Sequence, residues 1–336
     1  MKTSCIATTV LAIFTFCGIT PALADISEVD LPEINRRMKS RNGFYEAALL
    51  MEQSTAKAAK TPEEFGQYLV AIGNGIKSAL EHRDVEFSDL LGMGKVANHL
   101  DAWARVIPHG MRNYVRFVES VAQSSESARP ASIGGQLGCQ MQFILFALAI
   151  ENNDVAKAEA VREKAISLSK YEGEGGFVKF CIPILDVAFA LISKDSSAAL
   201  SRYREQHKKL ADMGLTDMEE ILWSTLAAMR ENGTALRDLD GVMKDLDARF
   251  NKGAKIRKVF PDTAAAKAGW RKGDRIVEVD GKTVFYNSDD GGRGHLDAIL
   301  NWRRNLPNRK PTRFRLKRGE TFLTSEISDD SLGIEF

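Results

Sequence analysis

The chain is short of the residues that build redox, metal and nucleophilic centres. Its 336 residues include 4 cysteines and 5 histidines. It has no Cys-x-x-Cys and no His-Glu-x-x-His, so neither a dithiol redox pair nor a zinc-binding helix is encoded. No Gly-x-Ser-x-Gly elbow is present to expose a nucleophilic serine. Gly92-Met93-Gly94-Lys95 lacks the earlier glycine and the following Ser or Thr of a phosphate loop. Ser167-Leu168-Ser169-Lys170 has Ser-x-x-Lys spacing but closes a helical run and reads as its solvated face. His82, His99, His109 and His207 are scattered. No catalytic residue, metal or cofactor is expected. The rival reading is a peptidase-like hydrolase with unrecognised catalytic residues in the helical half.

Long apolar runs are equally scarce. The one clear case is at the start, where Lys2 precedes an uncharged stretch from Cys5 to Ile19 and then Pro21-Ala22-Leu23-Ala24. Small residues at −3 and −1 of a cut after Ala24 mark a secretory signal peptide. The run is shorter than the ~20 residues that span a bilayer; an uncleaved anchor is the alternative. Phe14-Thr15-Phe16 is too bulky for Cys17 to be a lipidation site. Residues 177–192 are apolar but interrupted by Lys179, Pro183 and Asp186. A periplasmic or secreted protein without stable membrane insertion is expected.

Charge of either sign is not in excess, since the whole chain carries +1. The balance hides an asymmetry, −5 over residues 25–235 and +5 over 236–336. The basic part favours carboxylate-bearing partners or the acidic half itself. No interleaved aromatics suggest nucleic-acid binding.

What is present is two kinds of pattern. Residues 25–235 read as successive helices. Thr61-Pro62-Glu63-Glu64 is a capping box with proline at the first helical position, followed by Phe65, Tyr68, Leu69 and Ile72. Thr216-Asp217-Met218-Glu219 opens another helix in the same manner. Three segments match: Phe146-Ala147-Leu148 leading to Asn152-Asn153-Asp154, Phe189-Ala190-Leu191 to Asp195-Ser196-Ser197, and Leu226-Ala227-Ala228 to Glu231-Asn232-Gly233. Their offsets of 43 and 37 residues suit helical-hairpin repeats. Asn153 to Ala158, running on to Glu163-Lys164-Ala165-Ile166, resembles the turn and second helix of a tetratricopeptide repeat. The other segments match that family weakly, and a plain helical bundle is the alternative. Such repeats imply a concave surface that holds a protein partner.

Outside the leader the cysteines are Cys139 and Cys181, in neighbouring hairpins. A disulfide there would close a 42-residue separation and contribute on the order of 4 kcal/mol. Two buried thiols are the equal alternative.

From Leu236 onward the signals change. Lys255 to Val259 can form a strand, Thr263 can cap a short helix from Ala264 to Ala268, and Gly269 can end it. Gly273-Asp274 turns into a strand from Arg275 to Val279, and Asp280-Gly281 is a tight-hairpin signal. A helix from His295 to about Asn305 and strands at 312–317 and 322–327 follow. This order, with Val259-Phe260-Pro261-Asp262-Thr263 running through Ala268-Gly269-Trp270 to Val279-Asp280-Gly281-Lys282, closely resembles PDZ domains over residues 255–328. The resemblance implies a fold that binds an extended peptide along a sheet edge beside a helix. In that family a histidine often opens the groove helix, which places His295 in the groove with Ile299 and Trp302 on its face; capping in solvent is the alternative. The family's apolar-Gly-apolar carboxylate loop has two candidates, Gly241-Val242-Met243 and Leu332-Gly333-Ile334, with the first preferred. The final Ile334-Glu335-Phe336 has the alternating apolar residues of a groove ligand, and a last strand is the other reading.

The expected fold is therefore α+β and multidomain: a signal peptide over 1–24, an all-α helical-hairpin domain over 25–235, and over 236–336 a small PDZ-like β-sandwich or partial barrel with two helices. The expected function is an exported, non-enzymatic adaptor that binds an extended peptide or C-terminus. A protease or envelope protein of the periplasm is the natural second partner. The third reading is a structural scaffold whose groove is occluded.

Overall fold

A computed structural model describes residues 31–39, 43–44, 46–47, 61–82, 87–126, 132–172, 176–285, 293–304, 310–328 and 332–336. The expected leader and its cleavage point lie outside these residues. The architecture is mixed α+β, with helices up to Phe250 and an antiparallel sheet region after it.

Helices α1 (Leu31–Met38), α2 (Pro62–His82), α3 (Phe87–Val106) and α4 (Gly110–Ser125) come first. They are followed by α5 (Ile133–Glu151), α6 (Val155–Ser169), α7 (Phe177–Ile192), α8 (Ser196–Met213), α9 (Glu220–Glu231) and α10 (Asp240–Phe250). The Thr61 cap opens α2 as expected, its hydroxyl accepting from Glu64 N at 3.1 Å. From α3 onward, consecutive helices pack in pairs, and α5, α7 and α9 also touch one another.

The last three pairs turn alike. Asn153, Lys194 and Gly233 adopt left-handed backbone angles, with φ of 56°, 62° and 84°. In each turn the next N–H reaches a carbonyl five residues back: Asp154 to Ala149, Asp195 to Ala190 and Thr234 to Met229, all at 2.9 Å. This is the Schellman way of satisfying the last carbonyls of a helix. Asp154 and Asp195 then cap the next helix, accepting from Lys157 N and Ala198 N. The left-handed residues are 41 and 39 apart. The expected offsets of 43 and 37 are corrected, because matching Phe146 to Phe189 by identity displaced the turn by two residues.

Among the described residues the sheet region has the strands β1 (Ala254–Lys255), β2 (Lys258–Val259), β3 (Arg275–Val279), β4 (Lys282–Thr283), β5 (Thr312–Arg318), β6 (Thr321–Ile327) and β7 (Ile334–Glu335). Helix α11 (Ala264–Lys267) follows β2, and α12 (Arg293–Arg304) lies between β4 and β5. One sheet runs β1-β3-β5-β6 with β4 also on β3; the second pairs β2 with β7. Every pairing is antiparallel. The local signals hold. Thr263 Oγ1 accepts from Ala266 N, and Gly269 ends α11 with φ 76°. Asp280 and Gly281 both have positive φ, as a type I′ hairpin between β3 and β4 requires.

Two cores organise the chain. One joins α1 to α5 with the sheet region, through residues such as Leu100 and Trp103 on one side and Ile276, Leu296 and Phe314 on the other. The second lies among α5 to α10. Val242, Met243, Leu246 and Phe250 of α10 belong to this second core. Helix α10, within the stretch expected to open the PDZ-like part, buries its apolar face among the helices.

Cys139 and Cys181 are buried in the second core as free thiols. Cys139 Sγ points at the Ala165 carbonyl, 3.7 Å away. Burial, with a smaller push from Glu172, raises the Cys139 thiol to about 12 and Cys181 well above its ordinary value. Of the two readings, this structure shows the buried free thiols.

Candidate functional site

The site is built around β7. Phe260 N donates to Gly333 O at 2.9 Å and Arg257 N to Glu335 O at 2.7 Å. Ala265 N, in the first turn of α11, donates to Leu332 O at 3.1 Å. These bonds hold the backbone of 332–335 against β2 and α11. Gly333 is required there, because its φ is +64° and an added Cβ would lie 2.1 Å from Thr263 Cγ2. The last residues thus form a final strand.

The alternation of a strand decides what this edge offers. The carbonyls of Gly333 and Glu335 point to β2, so the N–H and C=O of Ile334 point to the opposite edge. Among the described residues no strand pairs with that edge. Leu300 and Trp302 of α12, with Ile334 and Phe336, are half-buried against the first core.

The rest of the region is anchored by a buried ion pair. Asp274 accepts from Arg271 N at 2.9 Å and from two nitrogens of Arg318 at 2.7 Å. Burial alone would raise the Asp274 carboxyl, but the Arg318 pair and the Arg271 N–H outweigh it and lower it. Trp270 Nε1 donates to Ser325 Oγ at 2.8 Å, and its ring meets Phe314 edge-on.

The residues expected to line a groove fall in three places. Gly241, Val242 and Met243 lie in the first turn of α10, far from being a loop before the first strand, and Val242 and Met243 are buried among helices. Their assignment as a carboxylate loop is corrected; helix continuity through Phe250 prevails over the apolar-Gly-apolar pattern. Ile299 is buried in the core, and Trp302 is half-buried. His295 is buried too, neither an open-groove residue nor a solvent cap: its Nδ1 accepts from Phe285 N at 3.1 Å and its ring lies 5.2 Å from that of Phe285. Burial, then the charges of Arg105 and Lys282, lower His295 to about 3, so it stays neutral.

Those two cations mark a junction that the sequence does not announce. α12 packs on α3. Lys282 Nζ donates to Arg105 O at 3.0 Å, and Thr283 N donates to Glu231 Oε1 at 2.8 Å. Phe285 inserts its ring against Trp223 of α9. Helices α3 and α9 thus grip the β3–β4 hairpin and the start of the loop after it.

Among the described residues no group of three or more His, Cys, Asp or Glu side chains is placed to hold a metal ion. No described helix is long and apolar enough to cross a membrane. Comparison with protein-family models, curated proteins and solved structures finds no match.

Proposed function

We propose that the protein is an exported, non-enzymatic adaptor that binds an extended peptide along the free edge of β7. The observation that carries this reading is the outward-facing N–H and C=O of Ile334, on a strand fixed by β2 on its other side. A peptide adding a strand there gains backbone hydrogen bonds without regard to its sequence, and side-chain contacts supply selectivity. The PDZ-like order of elements over 255–328 supports the same use. In this reading Leu332-Gly333-Ile334 is the apolar-Gly-apolar element that receives a terminal carboxylate. The tetratricopeptide-like hairpins hold a second partner, a protease or envelope protein outside the cytoplasm.

The test is selection of free-C-terminal and internal peptides against the whole protein, followed by titration of Ile334→Pro. Proline removes the N–H on the free edge and leaves the carbonyls facing β2. Affinity for a selected peptide is expected to fall roughly tenfold, the worth of one backbone hydrogen bond, while Ile334→Ala, which removes the side chain and keeps the N–H, controls for lost packing. Unchanged affinity places the peptide elsewhere. The scaffold reading draws on the α3–α12 contact; recovery of no peptide by the folded protein favours it.

A further inference from the structure

A second recess lies on the helical half, away from β7. It is a shallow, solvent-open recess of about 570 Å³ between α8 and α10. Two helical stripes face each other across it. Leu200, Tyr203, Arg204 and His207 come from α8, and Gly241, Val242, Asp245 and Arg249 from α10. Gly241 keeps it open, since a Cβ there would meet nothing within 4 Å.

The charges sort themselves. Behind the lining, Glu219, 1% exposed, accepts from Arg249 at 2.5 Å and contacts His207 Nδ1 at 2.9 Å. Arg249 also reaches Asp245 at 3.3 Å and the Thr216 carbonyl at 2.9 Å. Tyr203 donates to Asp245 at 3.2 Å, and its ring stacks with His207 at 5.7 Å. Arg249 is thereby committed to protein carboxylates. Arg204, exposed to solvent, has no ion-pair partner among the described residues, and it shares the lining with Tyr203, His207, Leu200 and Val242.

We propose that this cavity binds a monocarboxylate carried on an aromatic or branched aliphatic body. One uncommitted guanidinium matches one carboxylate in a bidentate pair. The Tyr203–His207 stack and Leu200 supply the apolar wall for the body. Asp245, a carboxylate on the same wall, disfavours a phosphate dianion. The carboxylate belongs either to a free small acid or to the last residue of a peptide.

The experiment is titration of the whole protein with phenylacetate, N-acetylphenylalanine and inorganic phosphate, followed by calorimetry or chemical shifts. Saturable binding of the carboxylates and none of phosphate is expected. Tighter phenylacetate identifies a free acid as the ligand class, and tighter N-acetylphenylalanine identifies a peptide end. Gly241→Leu fills the recess at a helical position where leucine is a better helix former than glycine and a Cβ meets nothing within 4 Å, so folding is retained. It and Arg204→Gln should each weaken binding at least tenfold, while Ile334→Pro leaves it unchanged. Absence of saturable carboxylate binding, indifference to both cavity substitutions, or equal binding of phosphate overturns the proposal.

Discussion

The guanidinium of Arg105 lies 5.2 Å from the centre of the Phe285 ring, so a cation of α3 caps an aromatic of the sheet region. Its other side meets Asp101 at 2.7 Å and Glu151 at 3.1 Å. Arg105 therefore neutralises a buried carboxylate of α5 while holding the junction. Arg105→Met leaves Glu151, with a side chain 6% exposed, without a counter-charge. A loss of about 3 kcal/mol or more is expected in urea unfolding. Arg105→Met with Glu151→Gln should recover a good part of it. Strict additivity of the two substitutions contradicts this account of the junction.

His295 makes stability depend on acid. Its folded value of about 3 lies below the ordinary 6.5. Between those values the unfolded chain binds the proton and the folded chain does not, so stability falls as pH drops from 6.5 towards 3. Above 6.5 this contribution is constant. His295→Asn keeps an acceptor for the Phe285 N–H but cannot titrate. Its urea midpoint should vary less with pH over that window; an identical slope would show that His295 is not the group responsible.

Local signals were legible because they concern a few neighbouring residues. The Thr263 cap, the Gly269 stop and the Asp280-Gly281 hairpin follow from side-chain reach and positive φ alone. The junction was not legible, because Lys282 and Arg105 are 177 residues apart and nothing near His295 announces Trp223 or Arg105. The pattern Gly241-Val242-Met243 was ambiguous between loop and helix, and burial of Val242 and Met243 settled it. Lys194 gave no sign of a left-handed turn, so the hairpin register was read two residues out. The free edge of β7 rests on Leu332-Gly333-Ile334, visible in the sequence but ranked second there, because its pairing with β2 spans the whole sheet region.

Gly333 should tolerate no side chain. Gly333→Ala puts a Cβ into Thr263 and forces a left-handed alanine, at an expected cost of about 2 kcal/mol or more. The Phe260 amide, bonded to Gly333 O, should then exchange faster with solvent. Thr263→Ser removes the methyl but leaves the Cβ and Oγ at 2.4 and 2.8 Å, so it should restore little of the loss. Unaltered exchange at Phe260 contradicts the β2–β7 pairing.

The cysteines give a chemical check. In protein lacking residues 1–24, two free thiols per chain should be alkylated on denaturation without reductant, and almost none while it is folded, since both are buried and hard to ionise. Recovery of no thiol from the denatured chain shows a disulfide and contradicts the free-thiol state of Cys139 and Cys181.

The central claim is that β7 takes up a further strand, and the Ile334 amide tests it most directly. Its hydrogen exchange should be measured in the whole protein with and without a selected peptide. The account expects slow exchange at Ile334 only when peptide is bound, with the Phe260 amide on the β2 side protected in both states. Peptide binding that leaves Ile334 exchange unchanged contradicts it.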